Sequence, residues 1–152
     1  MPEYLKTLRA RGGNVPIVVC GASVIVENAP GEILLQLRAD NNCWAYPGGI
    51  IEFNESTEAA TCRELQEETG IKAKTLELFG VFSGEALHYV YPNGDEISNV
   101  DVVYICKDYE GELQADGVEC LETRFFPPNA LPENISPPCK PALEAYAALR
   151  GR

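Results

Sequence analysis

The sequence predicts an α/β fold, a mixed β-sheet with helices packed against it, and three observations carry that prediction. The run PIVVCGASVIVE, Pro16 to Glu27, is nearly continuous in β-branched and small apolar residues, as a strand buried on both faces requires. Two later stretches, LELFGVFSG and HYVYPNGDEISNVDVVYIC, have the content of further strands. Helical segments alternate with them, and such alternation gives a mixed sheet with helices against it, in one domain over residues 1–152.

Taken in order, residues Tyr4 to Arg9 suit a short amphipathic helix ended by Gly12-Gly13. The strand from Pro16 to Glu27 is followed by a turn at Ala29-Pro30-Gly31 and by ILLQLR, Ile33 to Arg38, so the two strands are expected to pair as a hairpin. DNNCWAYPGG reads as a loop. In the next segment Ser56 or Thr57 can cap a helix, Glu58 sits in its first turn, and Gly70 suits the position just past its end, near Thr69. A strand begins in LELFGVFSG, and two more meet through Asn93-Gly94, a dipeptide that readily adopts φ > 0. After a turn at Tyr109-Glu110-Gly111, ETRFF (Glu122 to Phe126) is one more strand. The proline-rich segment from Pro127 to Pro141 is irregular, and Ala142 to Leu149 is helical.

Composition narrows the function. With 152 residues, 45% of them apolar and 23% charged, the chain can bury a sizeable core without staples. Its six cysteines, Cys20, Cys43, Cys62, Cys106, Cys120 and Cys139, are widely spread and form no C-x-x-C pair, so reduced, mostly buried thiols are expected. No apolar run of about eighteen residues occurs, and MPEYLKTLRARGG lacks a signal peptide's apolar stretch, so the expectation is a soluble, unexported, cytoplasmic protein. A net charge of −11 disfavours nucleic-acid polymers and anionic membranes, which would be approached against a repulsive field. Small anionic substrates remain open to it where metal ions mediate.

The stretch GGIIEFNESTEAATCRELQEETGI, Gly48 to Ile71, sets six glutamates against Arg63. On a helix, Glu64, Glu67 and Glu68 fall within about 100° of one another, while Cys62, Leu65 and Thr69 share another side. Ala60 falls among the glutamates and would leave room for something to approach. Adjacent carboxylates repel unless a cation intervenes, and hard oxygen donors suit Mg²⁺, Mn²⁺ or Ca²⁺. Zinc is disfavoured, because His88 is the sole histidine. On charge pattern alone, an acidic solvated helix face is the competing account.

The spacing adds a further observation: Gly49, five residues, Glu55, seven residues, Arg63-Glu64-Leu65, one residue, Glu67-Glu68, one residue, Gly70-Ile71. This matches every fixed position of the Nudix box, a match whose chance occurrence in such a chain is on the order of 10⁻⁷ from average residue frequencies. The sequence therefore resembles the Nudix hydrolase superfamily, as a small MutT-like member.

The resemblance implies an α/β/α sandwich with a mixed β-sheet and a loop–helix–loop catalytic motif. It also implies Mg²⁺- or Mn²⁺-dependent hydrolysis of a diphosphate bond in a nucleoside diphosphate linked to another moiety. Nucleoside triphosphates, ADP-ribose, nucleotide sugars and dinucleoside polyphosphates all share that bond, so the partner would be a small-molecule nucleotide; dimers are frequent in the superfamily. The alternative is a non-catalytic nucleotide-binding regulatory module of the same fold.

Carried over by position, Glu64, Glu67 and Glu68 resemble the metal-binding carboxylates, and the Gly49 carbonyl, or that of Gly48, resembles the backbone ligand. Arg63 and Glu55 resemble the pair that orients the glutamates. Glu119, with Glu122 as the alternative, is the candidate for a further ligand or catalytic base from beyond the box. Asn54 stands where many members have glycine, and asparagine tolerates a left-handed backbone.

Outside the box, Trp44 and Tyr46 could stack on a base or ribose, or belong to the core. Arg38 and Lys72 are candidates to meet substrate phosphates. His88 is either a proton carrier or structural, and Glu52 belongs either to a substrate loop or to solvent. The segment YVYPNGDE, Tyr89 to Glu96, resembles a recurring feature of one subgroup of small Nudix proteins and names no substrate.

Overall fold

The computed structural model describes residues 1–151. In chain order its elements are α1 (Glu3–Gly12), β1 (Ile17–Val26), β2 (Ile33–Arg38), β3 (Trp44–Ala45), β4 (Gly48–Ile50), α2 (Thr57–Thr69), β5 (Lys72–Ala73), β6 (Glu77–Phe82), β7 (His88–Val90), β8 (Glu96–Cys106), β9 (Tyr109–Glu110), β10 (Cys120–Phe126) and α3 (Lys140–Arg150). Short 3₁₀ turns occupy Glu85–Leu87 and Pro137–Cys139.

The main sheet is mixed. β1 runs parallel to β8 from Ile17↔Ile97 to Val26↔Cys106, β4 lies antiparallel on its other side, and β6 and β7 both pair antiparallel with β8. Alternation along β1 and β8 sends successive side chains to opposite faces. Val24, Val26, Tyr104 and Cys106 meet Leu65 of α2 on one face, whereas Ile25, Val103 and Ile105 meet Ala142, Leu143 and Tyr146 of α3 on the other. The result is an α/β/α sandwich. α1 covers the amino-terminal end of the second face through Leu5, against Val19 and Ile97. Leu65 is fully buried, a contribution of about 1.5–3 kcal/mol over leaving it exposed.

Three expectations are corrected, the first two as follows. β1 and β2 do not form a hairpin: β2 joins a second sheet in the order β10-β2-β3, and only an isolated bridge, Glu27↔Ile33, links it to β1. The Pro-Gly turn does reverse the chain, but β1 is buried along nearly all its length and its two edges are taken by β8 and β4. The stretch DNNCWAYPGG is not all loop, since β3 and the first residues of β4 lie in it. Strands of two or three residues are defined by their partners, and local pattern does not reveal them.

Tyr109-Glu110, expected as a turn, is instead β9, paired antiparallel with β5 through Lys72↔Glu110 and Ala73↔Tyr109, whereas the other elements fall as expected. β7 and β8 meet through a turn where Gly94 has φ 89°, and all six cysteines are free. None of the described helices is long and apolar enough to cross a membrane.

Candidate active site

α2 is held at both ends by the residues that the sequence marks. Ser56 Oγ accepts the N–H of Ala59 at 3.1 Å, and Gly70 ends the helix in the left-handed region at φ 77°. Before it, Asn54 is itself left-handed at φ 64°, the conformation that lets asparagine stand at this turn. Gly49 has a different role. A Cβ built on it would stand 2.5 Å from Glu64 Oε1, so the missing side chain is what lets the Glu64 carboxylate lie against β4.

Arg63 organises the acidic residues. Its Nε and Nη2 donate to the two oxygens of Glu55 at 2.7 and 3.0 Å, and its Nη1 donates to Glu64 at 2.7 Å and to Glu67 at 3.4 Å. The bidentate bond to the guanidinium holds the Glu55 carboxyl below its ordinary pKa. Glu68 lies deeper, at 6% exposure, where its Oε2 accepts from Gln36 Nε2 at 2.8 Å and from the Gly48 N–H at 3.2 Å. Burial, and then the charge of Glu64, raise the Glu68 pKa well above the usual carboxylate range. Glu64 is raised too, by burial and by the charges of Glu67 and Glu119, against the opposing pull of Arg63.

The three helix glutamates do not close on one point. Among the described residues no group of three Asp, Glu, His or Cys side chains is placed to hold a metal ion. Arg63 draws Glu64 and Glu67 together, while Gln36 and Gly48 keep Glu68 further in. The donor chemistry nevertheless fits a hard divalent cation. Burial, reinforced by the neighbouring carboxylate charges, raises the pKa values of Glu64 and Glu68, and Gly49 leaves Glu64 room beside the backbone. Ala60 is fully buried and leaves no opening among them.

A cleft of about 470 Å³ runs past these groups. Gly49, Glu64, Glu68 and Glu119 line it, together with Arg38, Tyr91 and Asp95. Arg38 grips Asp40 through Nε at 2.9 Å and Nη2 at 2.6 Å. α1 contributes Leu5 and Arg9 to the lining; Arg9 bonds the Glu96 carbonyl at 2.9 Å and faces Asp95 at 3.5 Å. Glu119 rides on a loop pinned by Asp116, whose Oδ1 accepts the N–H groups of Val118, Glu119 and Cys120 at 2.8–2.9 Å.

Sequence reasoning missed Gln36, Asp95 and the part played by α1. Only the Asp116 turn carried a local signal, an Asp able to accept backbone N–H groups from the residues after it.

Other candidates fall elsewhere. Trp44 and Tyr46, at 7% and 5% exposure, pack in the core: Trp44 lies edge-on against Phe126, and Tyr46, which also borders a small pocket beside Gly48, donates its hydroxyl to Asp101 at 3.0 Å. Trp44 lies on β3 and Tyr46 follows directly after it. Glu122 pairs with Arg124 along β10, His88 pairs with Glu96 at 2.7 Å on the surface, and Lys72 is exposed on β5 beside Glu110. The Glu52 side chain is exposed, and its N–H donates to Glu55 at 2.9 Å.

Asp101 is a buried carboxylate that the sequence did not single out. Its oxygens accept from Ser23 Oγ at 2.8 Å and from the Tyr46 hydroxyl, and burial raises its pKa against both bonds. The folded protein thus binds this proton more tightly than the unfolded chain does. That contribution to stability is complete below the ordinary aspartate pKa of about 3.9 and is lost as pH rises through the higher folded value. Asp101→Asn is therefore expected to raise Tm at pH 7, with the gain vanishing by about pH 4. Thermal unfolding of both proteins across that range checks it, and a gain independent of pH would contradict it.

A model of the NUDIX domain matches residues 19–146, which include the whole glycine loop, α2 and the cleft's acidic side. The chain belongs to the NUDIX family. It is 40% identical over 105 residues to an ADP-ribose pyrophosphatase of Methanocaldococcus jannaschii, a match that covers 67% of this chain and 58% of that protein. It is 39% identical over 121 residues to a MutT-like protein of Streptomyces ambofaciens, covering 80% and 71%. In structure this NUDIX domain resembles the MutT NUDIX hydrolase of Burkholderia pseudomallei, with a TM-score of 0.71 and 26% identity over 84% of this chain and 97% of that one.

Proposed function

We propose that this NUDIX protein is a pyrophosphohydrolase that cleaves the diphosphate bond of small nucleoside diphosphate-linked substrates with the help of Mg²⁺ or Mn²⁺. The observation that carries the reading is a cleft lined by Glu64, Glu68, Gly49 and Glu119, with Glu64 held by the Arg63–Glu55 pair. The relative named ADP-ribose pyrophosphatase supports the class of bond. The net charge of −11 favours a small nucleotide over a polymer.

Glu64, Glu67, Glu68 and the Gly49 carbonyl would hold the cation. When bound, it neutralises phosphate charge and lowers the pKa of a water. The chain's own groups do the rest. Arg63 keeps Glu64 and Glu67 on one side of α2, and Glu55 keeps Arg63 from swinging away. The Gly48 N–H and Gln36 orient Glu68. A carboxylate of the Glu67–Glu68 pair or Glu119 accepts the proton of the attacking water. Arg38 stands along the cleft with Asp40 holding its guanidinium, placed to meet a phosphate or sugar oxygen.

The test is a panel of nucleoside triphosphates, ADP-ribose, nucleotide sugars and dinucleoside polyphosphates with Mg²⁺ and with Mn²⁺, followed by release of phosphate, pyrophosphate or nucleoside monophosphate. Turnover is expected for at least one class, is lost on chelation and returns when the cation is restored. Binding without turnover across the whole panel would leave the non-catalytic nucleotide-binding module as the reading.

A further inference from the structure

α1 lies before the NUDIX-matched residues 19–146, yet it supplies Met1, Pro2, Leu5 and Arg9 to the lining of the cleft that Glu64 and Glu68 also line. Little within α1 accounts for its being helical. Isolated helices shorter than about 12–15 residues are marginal in water. α1 has 10 residues, no side-chain cap bond at its start, and Leu5 as its one buried residue. Its folding therefore depends on what it docks against.

One apolar contact and two polar anchors hold it. Leu5 packs against Val19 and Ile97. The Tyr4 hydroxyl donates at 3.0 Å to the carbonyl of Ile51, which leads from β4 toward Glu52 and Glu55. Arg9 donates through Nη1 to the Val15 carbonyl at 2.6 Å and to that of Gly13 at 3.4 Å, and through Nη2 to that of Glu96 at 2.9 Å. Its Nε stands 3.5 Å from Asp95, and the two side chains are only 12% and 11% exposed. Removing one partner of such a pair leaves the other charge uncompensated. α1 is thus tied at Ile51 to the segment that leads into α2, and at Asp95 and Glu96 to the β7–β8 turn, which brings Tyr91 and Asp95 to the cleft.

A ligand that fills the cleft meets α1 together with the residues of the box. The surface it buries against α1 is buried only while α1 is docked, so binding and docking favour each other by the same factor. A 10-fold effect is about 1.4 kcal/mol, which at roughly 25 cal/mol per Å² needs about 55 Å² of apolar ligand surface against Met1, Pro2 and Leu5. The carboxylates on α2 are held instead by Arg63, Gln36 and Gly48.

We propose that α1 is a strap whose docking is coupled to nucleotide binding, with Arg9 as the positioning residue that keeps it docked. The inference rests on the reading that the cleft takes a nucleoside diphosphate-linked substrate, and it adds an element outside the box that governs affinity without holding the cation.

The test uses the α,β-methylene diphosphates of adenosine, guanosine, cytidine and uridine, whose bridge resists cleavage, with Mg²⁺ present and binding measured by calorimetry. In wild type, saturation with the tightest of them is expected to slow hydrogen exchange of the α1 amides by at least about 10-fold. Arg9→Met is expected to weaken that compound by at least about 10-fold and to leave Mn²⁺ affinity, measured without nucleotide by electron paramagnetic resonance, within about 2-fold of wild type. Arg9→Lys restores a cation beside Asp95 without the forked donors and should fall between the two. Tyr4→Phe loses only the bond to Ile51 and should act in the same direction with a smaller effect, which covers the case of an Arg9→Met protein that does not fold.

α1 exchange that is unchanged in saturated wild type overturns the inference without any variant. So does nucleotide affinity that survives Arg9→Met and Tyr4→Phe, and a fall in Tm alone assigns Arg9 a structural role. Loss of Mn²⁺ affinity in parallel with nucleotide affinity also overturns it, since the damage would then reach the box. If none of the compounds binds wild type, the nucleotide reading of the cleft fails and the coupling falls with it, an outcome distinct from binding that leaves α1 exchange unchanged.

Discussion

Glu68→Gln and Glu67→Gln are each expected to lower turnover by about 10²–10⁴-fold, the usual size of a positioned acid–base contribution, without unfolding the protein. For Glu68 the two halves of that expectation come from one environment. The side chain is 6% exposed, and burial together with the charge of Glu64 opposes its ionisation. Glutamine keeps the shape and still offers an oxygen to the Gly48 N–H and the Gln36 amide, so Tm should hold or rise without divalent cations. A loss of turnover would then belong to the chemistry. Glu67 is a complementary case: its side chain is 61% exposed and held only by the 3.4 Å contact with Arg63, so its removal touches little packing. Turnover measured at saturating Mg²⁺, with thermal unfolding alongside, checks both. Unchanged turnover in the two variants would remove the Glu67–Glu68 pair from the mechanism.

What was legible in the sequence was what depends on neighbours along the chain. Ser56, Gly70 and the three-and-four spacing of Glu64, Glu67 and Glu68 are local signals, and α2 begins and ends where they say. The Arg63–Glu55 pair was legible only through the resemblance, since seven residues of loop and helix separate the partners. Groups set by tertiary pairing were not legible. Gln36 reaches Glu68 from β2, Asp101 reaches Tyr46 across 55 residues, and α1 meets the β7–β8 hairpin through Arg9. Trp44 and Tyr46 illustrate the same limit. An aromatic beside a glycine loop faces either the ligand or the core, and the pairing of β3 with β2, invisible locally, decides for the core.

The glycine pair shows how neighbouring positions answer to different constraints, and it yields the second large effect. A Cβ on Gly48 would stand 2.2 Å from Ser23 Oγ and 2.7 Å from Ser23 Cα, and Ser23 is its register partner across β1 and β4. Backbone cannot step aside, so Gly48→Ala must pry β4 from β1, at a cost of about 1–3 kcal/mol and a fall in Tm of roughly 2–12 °C. The same shift carries the Gly48 N–H away from Glu68, so turnover falls as well. A Cβ on Gly49 meets only the end of the Glu64 side chain, at 2.5 Å from Oε1 and 2.6 Å from Cδ. That carboxylate can rotate away, so Gly49→Ala should leave Tm within about 2 °C of wild type. Its cost appears in the site, because a donor displaced by about 1 Å can lower turnover about 10²-fold. Thermal unfolding and steady-state kinetics on the two alanine variants separate the cases. Equal losses of Tm would mean that Glu64 is as rigid as the strand, and full activity in Gly49→Ala would mean that its seat against β4 is not needed for hydrolysis.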